Sequence, residues 1–136
     1  MKILVVEDEP ANLKLARLVL AAEGHDVTEA QAVDKAVEAI RRCEPEAILL
    51  DLELSGANGL ILARNLKRDP KTRHIAIVAL TAFPDRFSRK AALEAGCDGY
   101  LLKPISTRTL PQQMAELVQS AHPQNASRGE GARCGE

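Results

Sequence analysis

The sequence predicts an α/β fold, a doubly wound five-stranded parallel sheet, on three observations. Five short runs of branched apolar residues alternate with stretches of helical period; four of these runs are apolar throughout; and the remaining one, Asp26-Val27-Thr28-Glu29-Ala30, is not. Regular alternation of strand and helix implies right-handed crossovers with helices on both faces of a parallel sheet. A continuously apolar strand is covered on both faces, whereas the polar second run has one wet side and belongs at a sheet edge. The strand order that satisfies both is 2-1-3-4-5, the flavodoxin-like arrangement.

In chain order, Ile3 to Val6 forms the first strand. Leu13, Ala16 and Leu20 mark the apolar face of a helix that Pro10 can begin and Gly24 can end. The edge strand Val27 to Ala30 leads into a helix with Val33, Ala36, Val37 and Ile40 at i, i+3, i+4 and i+7. Ala47 to Leu50 is the third strand and Leu62 and Leu66 mark the third helix. Ile75 to Leu80 is the fourth strand, and Ala91 to Ala95 lies in a helix stopped by Gly96. Tyr100 to Leu102 closes the sheet, and Leu110, Met114, Leu117 and Val118 give the last helix its apolar stripe. From His122 onward the chain loses apolar periodicity and becomes rich in small and polar residues. The expected organisation is one domain over 1–121 and a disordered tail over 122–136.

Composition narrows the function. The 136 residues suit one domain of ordinary size, and with aromatics at 2% its core must be aliphatic. Eighteen Lys and Arg nearly cancel nineteen Asp and Glu, so the chain lacks the basic footprint of a nucleic-acid binder, and direct nucleic-acid contact is not expected. Only four apolar residues separate Lys2 from Glu7, too few for a secretory signal core or a membrane span. Cys43, Cys97 and Cys134 are odd in number, widely spaced and without a CxxC pair, which reads as a reduced, cytoplasmic chain.

In this fold class ligands bind at the carboxyl ends of the strands, where the strand order reverses. Those ends carry Glu7 and Asp8, Asp51, Thr81, and Lys103 with Pro104. Three carboxylates at one rim repel one another unless a cation lies among them, and hard oxygen ligands suit Mg²⁺. Lys103 supplies a further positive charge and Thr81 a hydroxyl donor, so an anion attached to Asp51 is neutralised from three sides; a phosphoryl group fits. Taken singly, Asp8 fits a helix N-cap, Asp51 a loop residue, Thr81 an ordinary strand end and Lys103 a solvated surface lysine. Their joint occurrence on four separate strand ends favours one site.

At these residues the sequence resembles the receiver domain of bacterial two-component response regulators, from Lys2 to about Ser120. Ile3-Leu4-Val5-Val6-Glu7-Asp8-Glu9 is similar to the family's acidic first-strand motif and Ile48-Leu49-Leu50-Asp51 to its phosphoacceptor strand. Leu80-Thr81-Ala82 is similar to its switch threonine, and Leu102-Lys103-Pro104 to its lysine followed by a cis proline. Asn12-Leu13-Lys14-Leu15, with Thr81-Ala82-Phe83 and Lys103-Pro104-Ile105-Ser106, resembles single-domain cell-cycle regulators and receivers attached to hybrid kinases. The resemblance implies that Asp51 accepts phosphate from a histidine kinase or histidine phosphotransfer protein. It implies further that Glu7, Asp8, Asp51 and the backbone carbonyl of Glu53 hold Mg²⁺, and that Tyr100 is an aromatic switch that turns from exposed to buried as Thr81 is drawn toward the phosphoryl group. Such a chain catalyses only its own phosphotransfer and dephosphorylation, and acts through a downstream protein target or phosphate relay.

Two departures stand out. Ser55 replaces the proline usual after the acceptor strand, which implies a looser loop, although Gly59 is kept. Pro111 conflicts with a last helix begun at Ser106, so the helix is expected to start late, capped by Thr109 with Gln112 completing a capping box. Among other classes, Asp51-Leu52-Glu53 lacks the second aspartate and threonine of a haloacid-dehalogenase-type phosphatase. Glu7-Asp8-Glu9-Pro10 would repel the phosphate of a flavin. An interaction module that keeps the fold and signals without phosphate fits the same residues, and Mg²⁺-dependent labelling of Asp51 separates the two.

Overall fold

The computed structural model describes residues 1–54 and 57–121. The elements are β1 Lys2–Val6, α1 Pro10–Ala21, β2 Asp26–Ala30, α2 Val33–Cys43, β3 Ala47–Asp51, a short antiparallel pair β4 Glu53–Leu54 and β5 Ala57–Asn58, α3 Gly59–Arg68, β6 Ala76–Thr81, α4 Arg89–Glu94, β7 Gly99–Leu102 and α5 Leu110–Ala121. The five-stranded sheet has the order β2-β1-β3-β6-β7, with every pair parallel. This is the doubly wound flavodoxin-like order read from the sequence, with the polar strand β2 at the edge.

The period of two along each strand divides the core into two layers. Ile3, Val5, Leu49 and Val78 pack with Leu13 and Leu20 of α1 and Leu110 and Met114 of α5. Leu4, Val6, Ile48, Leu50 and Ile77 face the other way, against Ile40 of α2, Leu62 and Leu66 of α3, and Phe87. Nearly all of β1, β3 and β6 is therefore buried, and the carboxyl ends of these strands are held rigidly from both sides.

Gly24 and Gly96 sit at φ of 91° and 101°, the left-handed conformation in which they follow α1 and α4. Gly59 is needed for a different reason. A Cβ there would lie 2.8 Å from the Asp51 carbonyl oxygen and 2.9 Å from Leu52 Cα, both main-chain atoms with little room to move. The first turn of α3 is thus pressed against the backbone at the carboxyl end of β3. Gly59→Ala is expected to lower stability by about 1–3 kcal/mol through overpacking, read as a fall in the urea midpoint.

Two details differ from the sequence reading. Val37 is 38% exposed, and the buried face of α2 runs instead through Ala36, Ala39, Ile40 and Cys43, because small residues allow α2 to approach the sheet along that line. Helix α5 does begin at Leu110, after Thr109, but Gln112 does not close a capping box. Its side chain pairs with Glu116 (3.1 Å), and the Thr109 hydroxyl donates to Gln113 (3.2 Å). Cys97 is a buried free thiol. Ser55, Cys134 and the tail over 122–136 lie outside the described residues. No helix among the described residues is long and apolar enough to cross a membrane.

Candidate phosphoacceptor site

Parallel pairing brings the strand ends together. The Glu7 N–H donates to the Ala30 carbonyl (3.0 Å), fixing the chain just beyond β1. Asp51 ends β3 opposite Leu80, Thr81 ends β6 opposite Leu102, and the Lys103 N–H donates to the Thr81 carbonyl (2.9 Å). The Lys103–Pro104 bond is cis. Glu7, Asp51 and Thr81 are the buried polar side chains of the described core.

Lys103 bridges two acids. Its Nζ lies 3.1 Å from Glu7 Oε1 and 3.1 Å from Asp51 Oδ2. The other oxygens are also held: Asp51 Oδ1 accepts the Glu53 N–H (3.0 Å), and Glu7 Oε2 accepts the Glu9 N–H (3.1 Å). Glu7 Oε1 is buried yet has no hydrogen-bond partner, so its proximity to Lys103 is an ion pair without a directed bond. Glu9 caps α1 by accepting the Ala11 N–H (3.5 Å), so Asp8 is not the helix cap. One carboxylate oxygen each from Glu7, Asp8 and Asp51 lies within 4.8 Å of the others. An orphaned buried carboxylate oxygen amid hard oxygen donors is a donor set that fits Mg²⁺.

The charges respond to this crowding. Burial, together with the neighbouring Asp51 carboxylate, pushes the Glu7 carboxyl up to about 7, against the lowering by the Glu9 N–H and Lys103. Burial pulls the Lys103 ammonium down, but the Glu7 and Asp51 carboxylates beside it outweigh this and hold it above the ordinary lysine range. Because the folded chain keeps a proton on Glu7 that the unfolded chain has released, stability without divalent metal should fall as pH rises from 4.5 to about 7. A metal ligand must shed that proton, so Mg²⁺ should bind roughly tenfold more weakly one pH unit below the Glu7 value than well above it. Isothermal titration at pH 6 and pH 8 checks this, and Glu7→Gln should remove most of the difference.

Thr81 is fully buried, and its hydroxyl oxygen accepts the Phe83 N–H (2.9 Å). The hydroxyl donates to Oε2 of Glu53, and the Ala82 N–H donates to Oε1 of the same side chain (3.2 Å). This use of the Glu53 carboxylate was not legible in the sequence, where the resemblance gives a role only to its carbonyl. Tyr100 is buried, its hydroxyl donating to the Phe87 carbonyl, with the Arg89 guanidinium 5.2 Å from its ring centroid. The exposed position that the resemblance implies for this ring is not the one observed.

Fold and rim together define an α/β domain with a buried aspartate beside a fixed lysine, and a buried threonine hydroxyl at the neighbouring strand end. The response regulator receiver domain family matches residues 3–115, and the chain belongs to that family. It is therefore a two-component signalling switch of the phosphorylation-dependent kind. Response regulator PleD of Caulobacter vibrioides is 41% identical over 117 residues, covering 86% of this chain but 26% of its own length. The phosphate regulon regulator PhoB of Escherichia coli is 36% identical, and the chain spans 53% of its length. Polar-differentiation response regulator DivK of Brucella ovis is 34% identical over 104 residues, covering 76% of this chain and 85% of the relative. Among solved structures, the receiver domain of a Syntrophus aciditrophicus signal transduction histidine kinase superposes with a TM-score of 0.79 at 26% identity, covering 96% of both chains. Receiver domains bind Mg²⁺ at an acidic pocket and work with histidine kinases and downstream targets.

Proposed function

We propose that this chain accepts a phosphoryl group on Asp51 from a histidine kinase or histidine phosphotransfer protein and passes the signal on by protein contact or phosphorelay. The observation that carries this reading is the Asp51 carboxylate, buried at the end of β3 with Lys103 Nζ 3.1 Å from Oδ2. Asp51 forms a bond to phosphorus as the phosphorus–nitrogen bond of the donor phosphohistidine breaks; the departing imidazole keeps the electron pair. A carboxylate nucleophile carries no proton, so no base is required. Lys103 would then face the new phosphoryl oxygens as well as Glu7, and the Thr81 hydroxyl at the neighbouring strand end would donate to one of them. Glu7, Asp8, Asp51 and the Glu53 carbonyl would hold Mg²⁺, which when bound neutralises the acids and offsets charge on the transferring group. Self-catalysed transfer and loss of phosphate are the whole of the chemistry in this reading.

The receiver unit is taken as 1–121, with 122–136 as a tail. A cytoplasmic address is the one in which a kinase supplied with nucleotide can reach Asp51. The near balance of Lys and Arg with Asp and Glu favours a protein target over direct nucleic-acid contact. The test is to mix the chain with a histidine-phosphorylated phosphotransfer domain. Transfer that requires Mg²⁺ and stops on chelation supports the reading; failure to take phosphate from any such donor or from acetyl phosphate contradicts it.

A further inference from the structure

The side chain of Glu53 does something that the acceptor chemistry does not require. It follows Asp51 by two residues, and its N–H donates to Asp51 Oδ1 (3.0 Å) while its carboxylate turns to the neighbouring strand end. There both oxygens are used: Oε2 by the Thr81 hydroxyl and Oε1 by the Ala82 N–H (3.2 Å). An anion with two oxygens thus sits on two donors of the β6 end. With Thr81 held this way, Tyr100 is buried and its hydroxyl bonded to the Phe87 carbonyl.

We propose that the Glu53 carboxylate is an internal stand-in for the phosphoryl group, a positioning residue that holds the Thr81 hydroxyl and the Ala82 amide and must give them up when Asp51 is phosphorylated. The proposal rests on Asp51 being the acceptor. Its physical basis is competition. A carboxylate and a phosphoryl oxygen are both anionic acceptors, charge-assisted hydrogen bonds make both good partners for the same donors, and two anions cannot share them without repulsion. Two consequences follow. Glu53 opposes phosphoryl binding, and it biases the β6 end and Tyr100 toward the buried arrangement before any phosphoryl group arrives. Phosphorylation then exchanges one anion for another, and the output depends on the difference between them.

Tyr100 is the single tyrosine and the chain has no tryptophan, so intrinsic fluorescence reports this ring alone. The experiment compares wild type, Glu53→Ala and Glu53→Gln in two measurements. The first is the affinity for beryllofluoride in the presence of Mg²⁺, followed by fluorine resonance; the second is acrylamide quenching of Tyr100, with and without saturating beryllofluoride. Glu53→Ala is expected to bind beryllofluoride about tenfold more tightly. In the free protein its Tyr100 should be quenched more than in wild type, and beryllofluoride should restore protection. Glu53→Gln keeps an acceptor oxygen without the charge and should fall between. Tighter binding with unchanged quenching overturns the proposal, because it reflects charge repulsion alone. Changed quenching at unchanged affinity overturns it as well, since there is then no competition. Wild type that binds no beryllofluoride overturns the phosphoacceptor reading and the proposal with it, an outcome distinct from wild type and variants that bind equally well.

Discussion

Asp51→Asn is expected to abolish phosphoryl acceptance from acetyl phosphate while leaving the fold intact. The amide has the shape of the carboxylate but is a poor nucleophile and a poor ligand for a hard cation, so both contributions of Asp51 vanish together. Stability should hold or rise. Asp51 is buried beside Glu7 and Asp8, and replacing one of three crowded carboxylates by a neutral group relieves repulsion, while the amide oxygen can still accept the Glu53 N–H. Phosphorylation measured by intact mass, beside a urea denaturation curve, separates the chemical effect from any structural one. Undiminished labelling of the variant moves the acceptor elsewhere.

Lys103→Met should have the opposite effect on stability. The ammonium lies 3.1 Å from Glu7 Oε1 and from Asp51 Oδ2, and its side chain is 16% exposed. Removing one partner of a buried ion pair generally costs about 3–5 kcal/mol, because the other charge is left in low dielectric. Here the loss is smaller at low pH, where Glu7 holds a proton, and grows as pH rises through about 7. Added Mg²⁺ should restore part of it by replacing the lost positive charge. Denaturation midpoints at pH 5.5 and pH 8, with and without Mg²⁺, give four values with a definite order: lowest at pH 8 without metal. A variant as stable as wild type at pH 8 without metal would show that Lys103 does not compensate the acids.

What the sequence made legible was whatever the sheet decides. Runs such as Ala47-Ile48-Leu49-Leu50 and Ile75 to Leu80 are buried on both faces, and Asp26 to Ala30 is not, which fixed the edge strand and hence where the order reverses. Because Glu7, Asp51, Thr81 and Lys103 lie at or directly after strand ends, the same pattern brought them to one rim. Placements set by loops and by helix tilt were harder to read. Val37 has the right spacing for the core, yet Ala39 and Cys43 take its place because of how α2 lies on the sheet. Glu53 reaches Thr81 across 28 positions by the course of the β3–β4 connection, and no periodicity encodes that turn. Tyr100 was identified as a residue, but the partners of its buried ring, the Phe87 carbonyl and the Arg89 guanidinium, are connected to it by no spacing rule.

If Asp51 carries the phosphoryl group, mass spectrometry should find the modification at that position. The chain is treated with acetyl phosphate and Mg²⁺, reduced with borohydride, which converts an aspartyl phosphate to homoserine, and digested for tandem mass spectrometry. Homoserine at position 51, dependent on both phosphodonor and Mg²⁺, is the predicted result. Homoserine at another aspartate, or none under conditions in which a known receiver domain is labelled, would rule out Asp51 as the acceptor.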